Sequence, residues 1–218
     1  MQSPIVIQKT SDGSHTLYLP DMDEHYHSVN GAVQESLHVY INTAFNKCKK
    51  DEIRVLEMGF GTGLNALLTF MEAAKRNIKL HYTTLEKYPL TKEIISSLNY
   101  SDSDKELFEK IHTAEWNTPV NITEDRIIHK VHTDFNDYDY SLGTYDVVYY
   151  DAFAPDKQSE VWSEDLFNKI FLSMNTDGVL STYCAKGEIR RRMQSAGFVV
   201  SRLPGPPGKR EILMAQKN

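Results

Sequence analysis

The segment RVLEMGFGTGLNALLTF, residues 54–70, constrains the fold more than any other part of the chain. An apolar run ends in Glu57, and Gly59, Gly61 and Gly63 follow at alternate positions before a helical pattern of apolar residues. A strand that enters a helix through such a turn is a recurring unit of parallel α/β sheets. Glycine permits the tight turn and lets a ligand approach the backbone at the helix N-terminus. The segment therefore predicts a ligand-binding turn, and a tight turn without a ligand is the alternative.

Strand and helix patterns alternate along the rest of the chain. This alternation favours a doubly wound, mostly parallel sheet of the Rossmann-like α/β class. Seven strands are predicted, in the segments IRVLEM, IKLHYTTLE, RIIHKVHTDF, YDVVYYDAF, GVLSTYC, FVVSRL and EILMAQK. Residues 1–50 are predicted to form a small N-terminal extension, a hairpin followed by a helix capped by Asn30, that packs on a catalytic domain of residues 51–218.

Three predicted strands after the glycine turn end in an acidic residue. Ligands of such sheets bind beyond the carboxyl ends of the strands, so these acids are expected at one site. Glu86 ends the second strand, where it is placed to accept hydrogen bonds from ribose hydroxyls, and Asp134 ends the third, where it is placed to pair with an adenine amino group. Asp151 ends the fourth and is expected to hold a substrate amine and accept its proton. A solvated acid or a capping aspartate is the alternative at these positions.

The spacing of the glycines selects among nucleotide cofactors. The dinucleotide fingerprint GxGxxG requires its third glycine where Leu64 stands. An acid followed by GxGxG is instead the spacing used by enzymes of this architecture that bind S-adenosylmethionine (AdoMet). We therefore predict AdoMet as the cofactor, with contacts from the turn residues Glu57, Gly59, Phe60, Gly61, Thr62 and Gly63.

The charge distribution bears on the partner. The chain has 24 basic and 30 acidic residues, a net charge of −6, which argues against a general coat for nucleic acid. Seven of the basic residues lie between Lys186 and Arg210 with a single acid, and this stretch predicts a local basic surface. Cys48 and Cys184 form no CxxC motif, so neither a disulfide framework nor a metal site is predicted. With no apolar run near the ~20 residues of a membrane span and no signal-peptide pattern, a cytoplasmic protein without membrane contact is expected.

Five segments together resemble one known family. LEMGFGTGLNAL, LEKYPL, DAFAPDKQSEVW, IRRRMQSAGF and GKREILMA are similar to the methyltransferase domain of the bacterial bifunctional tRNA 5-methylaminomethyl-2-thiouridine biosynthesis protein. YHSVNGAVQESLHVYI resembles the entry segment of the same family, so the similarity runs from about residue 20 to residue 216. The resemblance implies a stand-alone class I AdoMet-dependent methyltransferase that methylates the aminomethyl group of wobble uridine 34 in tRNA.

The resemblance also implies roles for particular residues. Gly59, Gly61 and Gly63 would hold AdoMet, Glu86 its ribose and Asp134 its adenine end, while Asp151 would orient the amine. Asn30, Gly31 and Glu35 match the N-terminal motif of the family and are expected near the cofactor. The wobble base and the anticodon stem-loop are expected to contact aromatic, loop and basic residues, namely Phe153, Pro155, Lys157, Trp162, Tyr183, Lys209 and Arg210. Gln158 and Ser159 replace the Asn-Pro that commonly follows this lysine in the family.

Two alternatives accompany this interpretation. A small-molecule amine methyltransferase, or an aminopropyltransferase that uses decarboxylated AdoMet, would need the same sheet, but the basic stretch and the lack of an extra acid pair argue against a polyamine. A non-enzymatic AdoMet- or tRNA-binding module is less compatible with intact acids at the strand ends. Because no segment corresponds to the FAD-dependent oxidase half of the family, the expected substrate is a primary aminomethyl uridine made by separate upstream enzymes.

Overall fold

A computed structural model describes residues 4–102 and 104–218 of the protein. The first three residues of the predicted extension and Ser103 lie outside this part. The predicted N-terminal hairpin is confirmed, and it belongs to a three-stranded antiparallel sheet composed of β1 (Val6–Lys9), β2 (His15–Leu19) and β3 (Glu24–His25).

A short helical segment connects this small sheet to the main one. Helix α1 (Ala32–Ser36) runs directly into a π-helical turn at Leu37–Asn42, and a 3₁₀ turn follows at Phe45–Lys47. The residue before α1 is Gly31, so the prediction that Asn30 caps the helix was wrong. Asn30 is exposed, and its side-chain N–H donates to the Ser28 hydroxyl. The helix begins one residue later than the sequence pattern indicates.

The central sheet has eight strands among the described residues, in the order β10-β11-β9-β8-β4-β5-β7-β6. Strands β4, β5, β7, β8 and β9 are parallel, whereas β6, β10 and β11 contribute the antiparallel pairs. Their bounds are Glu52–Met58 (β4), Lys79–Glu86 (β5), Pro119–Thr123 (β6), Arg126–His132 (β7), Tyr145–Tyr150 (β8), Met174–Thr182 (β9), Val199–Pro204 (β10) and Glu211–Gln216 (β11). The Rossmann-like class is confirmed.

The strand count predicted from the sequence was one too low. The missed strand, β6, lies at the sheet edge and pairs antiparallel with β7. Only Ile122 of its five residues is buried, so the apolar alternation that signals a strand is weak. The strand also begins with Pro119, which has no backbone N–H to donate. An edge strand tolerates proline because an N–H at this position would have no neighbouring strand to pair with.

Helices cover both faces of the sheet. They are α2 (Leu64–Lys75), α3 (Lys92–Ser96), α4 (Lys105–Thr113), α5 (Glu164–Ser173) and α6 (Gly187–Ser195). One buried cluster joins α2 and α4 with the π-helical turn of the extension, and the other joins α5 and α6. Strand β8 is buried along its whole length between the two clusters. The chain leaves β4 toward β5 on one side and later returns to β8 on the other, which places a crevice at the carboxyl ends of β4 and β8.

Two further observations concern residues 4–102 and 104–218. None of their helices is long and apolar enough to cross a membrane. Their His, Cys, Asp and Glu side chains form no group of three or more that could hold a metal ion.

Candidate functional site

A cavity of about 380 Å³ opens at the carboxyl ends of the central strands. Its floor consists of the glycine turn after β4 and the segments that follow β5, β7 and β8. Residues 24–29 of the extension close the opposite wall. The Tyr26 ring meets the Phe153 ring edge-on at 5.1 Å between centroids, so the extension contacts the loop after β8 across the cavity.

The glycine turn brings the ends of three strands together. Gly59 lies at φ +98°, and a Cβ there would come within 2.8 Å of the Asp151 carbonyl oxygen, so only glycine permits this approach. The Gly61 N–H donates to Glu86 Oε2 at 3.0 Å, which ties the turn to the end of β5. A Cβ on Gly61 would lie 3.1 Å from the Tyr26 ring, so the turn is also closely covered by the extension.

Glu86 and Asp134 line the same side of the cavity, as the sequence predicts. Glu86 Oε1 accepts the Tyr88 N–H at 2.8 Å. Asp134 pairs with Lys87 at 2.8 Å, and this ammonium lowers the pKa of the Asp134 carboxyl below its usual range. Both acids therefore line the cavity next to the glycine turn, and their assignment to ribose and adenine stays a prediction.

Asp151 lies at the centre of the cavity floor. Its Oδ1 accepts the Tyr40 hydroxyl at 2.5 Å, and its Oδ2 accepts the Asn65 side-chain N–H at 2.8 Å. Burial raises the pKa of Asp151 to about 6, and the two hydrogen bonds act in the opposite direction. The carboxylate is thus held by one side chain from the extension and one from the first turn of α2, with its charge facing the cavity.

An ion pair between half-buried Lys209 and buried Glu35 forms another wall of the cavity. Lys209 Nζ lies 2.6 Å from Glu35 Oε1 and 4.0 Å from the centroid of the Tyr183 ring. Glu35 Oε2 accepts the Ser28 N–H at 2.7 Å, and Tyr183 donates to the Ala152 carbonyl at 2.8 Å. Two residues that the sequence assigned to different ligands, Glu35 and Lys209, are therefore partners of each other.

Several predicted site residues lie outside the cavity. Trp162 is fully buried and donates its indole N–H to the Phe153 carbonyl at 2.8 Å. The expectation that its ring offers a stacking surface is therefore corrected, because Trp162 supports the loop after β8 from the core side. Glu57 is also fully buried, beneath the turn. The others that do not line the cavity are Asn30, Gly63, Pro155, Lys157 and Arg210.

Other residues line or support the site without having been predicted. Tyr26 and His27 lie in the segment YHSVN, which belongs to the family-like entry segment, and His27 Nε2 lies 2.8 Å from Thr62 Oγ1. Asn65 is the last letter of GFGTGLN, so its proximity to the turn was visible in the sequence. Tyr40 lies in the same entry segment, but no pattern there indicated that it reaches Asp151, 111 residues away along the chain, from the π-helical turn.

The residues present fit AdoMet. Gly59 and Gly61 line the cavity with bare backbone beside the start of α2, and carboxylates follow at the ends of β5 and β8. The volume is within the range of cofactor pockets. Fold and site together define the class I AdoMet-dependent methyltransferases, as the sequence predicts.

Comparison with known proteins identifies the family. Residues 89–218 match the family described as S-adenosyl-L-methionine-dependent methyltransferase, and the chain belongs to this family. The chain is 26% identical over 226 residues to the tRNA 5-methylaminomethyl-2-thiouridine biosynthesis bifunctional protein MnmC of Cupriavidus metallidurans, covering 95% of this chain and 33% of the relative. Its identity to the protein of the same name from Paraburkholderia phymatum is 30%, covering 98% and 35%. The chain thus spans about a third of the length of these relatives.

Solved structures show the same architecture. MNMC2 from Aquifex aeolicus superimposes with a TM-score of 0.80 at 23% identity, covering 99% of this chain and 71% of that one. Spermidine synthase from Thermotoga maritima superimposes with a TM-score of 0.58 at 15% identity, covering 100% and 74%. At these identities the likeness establishes the fold, and the resemblance stated from the sequence motifs is confirmed by the relatives.

Proposed function

We propose that this enzyme methylates the primary aminomethyl group of wobble uridine 34 in tRNA and yields the methylaminomethyl nucleoside. The observation that carries the proposal is the Asp151 carboxylate, held by two donors and facing the cavity beside the glycine turn. The similarity to the bifunctional tRNA-modifying relatives over 95% of this chain supports the choice of substrate. A preceding modification reaction has to supply the primary amine, and the cytoplasm is the expected location.

The cofactor is assigned to the side of the cavity formed by β4, β5 and β7. There the backbone of Gly59 and Gly61 would hold the cofactor, with Glu86 binding its ribose and Asp134 its adenine. When bound, AdoMet supplies an electrophilic methyl group on its sulfonium sulfur. Placing the reacting nitrogen in line at about 3 Å accounts for much of the rate, since proximity alone contributes about 7–11 kcal/mol.

Asp151 is assigned to the amine. An ionised carboxylate accepts hydrogen bonds from the amine, turns its lone pair toward the methyl group and stabilises the positive charge that develops on nitrogen. The carboxylate can also receive the proton that the amine must lose. Since its pKa is about 6, Asp151 is mostly ionised at neutral pH, as this role requires.

Phe153 and Tyr183 are assigned to the uracil ring. Both side chains line the cavity and are partly exposed, and a base in a single-stranded loop is readily splayed out to stack on aromatic rings. Among the basic residues near the C-terminus, Arg191 and Arg210 are exposed and suit phosphates of the anticodon stem. Lys209 is occupied by Glu35 and therefore has a smaller share in that contact than the sequence suggests.

Nucleoside mass spectrometry tests this proposal. tRNA from cells that stop at the aminomethyl wobble uridine is incubated with AdoMet and either the wild type, Asp151→Ala or the control Asp165→Ala, an exposed acid paired with Lys169 on α5. We expect one added methyl on that nucleoside with the wild type and the control, and none with Asp151→Ala. Calorimetry should show that Asp151→Ala still binds AdoMet. An enzyme that binds AdoMet but never methylates this tRNA would contradict the proposal and favour a small amine as substrate.

A further inference from the structure

Two carboxyl groups, one that lines the cavity and one sealed beneath it, flank one amide. Asn65, in the first turn of α2, is 2% exposed and donates its side-chain N–H to Asp151 Oδ2 at 2.8 Å. The same side chain lies beside Glu57, the penultimate residue of β4, with no direct hydrogen bond to its carboxyl group. Asn65 therefore lies between an acid that faces the cavity, to which it donates, and an acid that has no exposed surface.

In the described part of the chain, no cation is among the groups that face the Glu57 carboxyl. Its Oε2 accepts the Thr84 hydroxyl at 2.7 Å, and its Oε1 has no hydrogen-bond partner among the described residues. The groups that face it are Tyr82 and Thr84 from β5, Asn65 from α2, and Tyr149 and Asp151 from β8 and its end. None of these is a cation, and one is itself an acid.

Two ionised carboxylates separated by one amide repel each other strongly in a medium of low dielectric constant. The proton therefore resides on the more deeply buried of the two. Burial raises the pKa of Glu57 to about 8, with the negative charge of Asp151 acting in the same direction. Asp151, which reaches the cavity and has two donors, is the one that ionises first.

We propose that Glu57 and Asn65 are positioning residues for Asp151. A neutral Glu57 carboxyl leaves the Asn65 amide free to keep its N–H on Asp151 Oδ2, and this hydrogen bond fixes the orientation of the catalytic carboxylate. The catalytic part of this inference rests on the proposed function, whereas the proton on Glu57 does not depend on the substrate. An ionised Glu57 competes with Asp151 for the amide hydrogens. Its added negative charge also favours the protonated form of an amine bound at Asp151, which cannot attack the methyl group.

The first test is the pH dependence of Glu57→Gln. Glutamine keeps the shape and the donor and acceptor of a protonated carboxyl but cannot ionise. The ratio of kcat for Glu57→Gln to kcat for the wild type cancels every titration that the two enzymes share, including that of the substrate. We expect a nearly constant ratio from pH 6.5 to about 7.5 and a rise of about tenfold by pH 9, because only the wild type loses its neutral glutamic acid. A ratio that stays constant over the whole range would overturn the proposal.

Thr84→Val provides a directional control. The hydroxyl of Thr84 stabilises the ionised form of Glu57 by donating to it, so its removal raises the pKa of that carboxyl further. The alkaline loss of activity should therefore move to higher pH in Thr84→Val. A move to lower pH would contradict the assignment of this limb to Glu57.

A measurement without substrate separates this inference from the proposed function. In protein labelled with ¹³C at the glutamate carboxyl carbons, one resonance should titrate near pH 8 and be missing from the spectrum of Glu57→Gln. A titration confined to the ordinary range of glutamate would overturn the inference even if tRNA is methylated. Conversely, a titration near pH 8 would establish the proton on Glu57 even if the enzyme methylates no tRNA. In that case the proposed substrate would be wrong and the inference about Glu57 would stand.

Discussion

Removing the Tyr40 hydroxyl should move the acidic limb of the activity profile. The Tyr40 hydroxyl donates to Asp151 Oδ1 at 2.5 Å, and its ring packs on Tyr149 at 5.2 Å between centroids. Tyr40→Phe keeps the ring and deletes only the donor. A hydrogen bond to a charged group contributes about 1.5–3 kcal/mol, and about 1.4 kcal/mol corresponds to one pKa unit. The substitution should therefore raise the pKa of Asp151 from about 6 to about 7–8.

The consequence for the rate follows from the ionised fraction. With a pKa of about 6, roughly 90% of Asp151 is ionised at pH 7, and with a pKa of about 7–8 the fraction falls to roughly 10–50%. Methyl transfer needs the ionised form, so activity is lost as the pH falls through the pKa of the folded protein. We expect Tyr40→Phe to be about two- to tenfold slower at pH 7 and to approach the wild-type rate near pH 9.

The assay is single-turnover transfer of a labelled methyl group from AdoMet to aminomethyl-uridine tRNA, with saturating enzyme, from pH 5.5 to 9. The variant-to-wild-type rate ratio is plotted against pH so that titration of the substrate amine cancels. A ratio that is equally low at every pH would refute the reasoning, because it would show that Tyr40 acts through packing and not through the charge state of Asp151.

Three further predictions follow from contacts around the site. Gly59→Ala should lower the free energy of unfolding by about 1–3 kcal/mol and weaken AdoMet binding in calorimetry. The added Cβ would lie 2.8 Å from the Asp151 carbonyl oxygen, and the backbone at this position has a φ of +98°. An unchanged affinity for AdoMet would contradict the prediction. Lys209→Met should lower the free energy of unfolding in urea by about 1–3 kcal/mol, because the Glu35 carboxylate is left buried without its cation. Adding Glu35→Gln to Lys209→Met should restore part of the lost stability. Strictly additive losses in the double variant would argue against a stabilising ion pair. From pH 5 to pH 8, Glu57→Gln should become increasingly more stable than the wild type, by up to roughly 2–4 kcal/mol. In this range the Glu57 carboxyl ionises in the unfolded wild type but stays protonated in the folded protein, so rising pH stabilises only the unfolded wild type. A pH-independent difference in melting temperature would show that Glu57 is already ionised in the folded protein.

The errors of the sequence-based predictions have identifiable physical causes. The edge strand β6 was missed because a strand with one buried residue lacks the apolar alternation that identifies strands. Trp162 was expected to stack on the wobble base, but the same apolar ring is also a suitable core residue, and it packs with Tyr150 and Phe167 beneath the loop. An aromatic residue in a loop sequence does not reveal on which side of the loop its ring lies.

The family, the cofactor class and the acids of the site were accessible from the sequence by itself. A strand, a glycine turn and a helix are local features with their own periodicity, and parallel strands bring their carboxyl ends to one edge whatever the details of packing. Asp151, Glu86 and Asp134 could therefore be named as site residues before the fold was known, and all three line the cavity.

The tertiary structure alone decided which side chains act together. The Asp151 carboxylate meets Tyr40 and Asn65, which are 111 and 86 residues away, and Lys209 from the C-terminal loop meets Glu35 from α1. It also decided that Glu57 is sealed beneath the turn while Asp151 reaches the cavity. Burial and neighbouring charge set the protonation state of a carboxyl group, and both depend on packing between segments that are distant in the chain. No local pattern of residues contains that information.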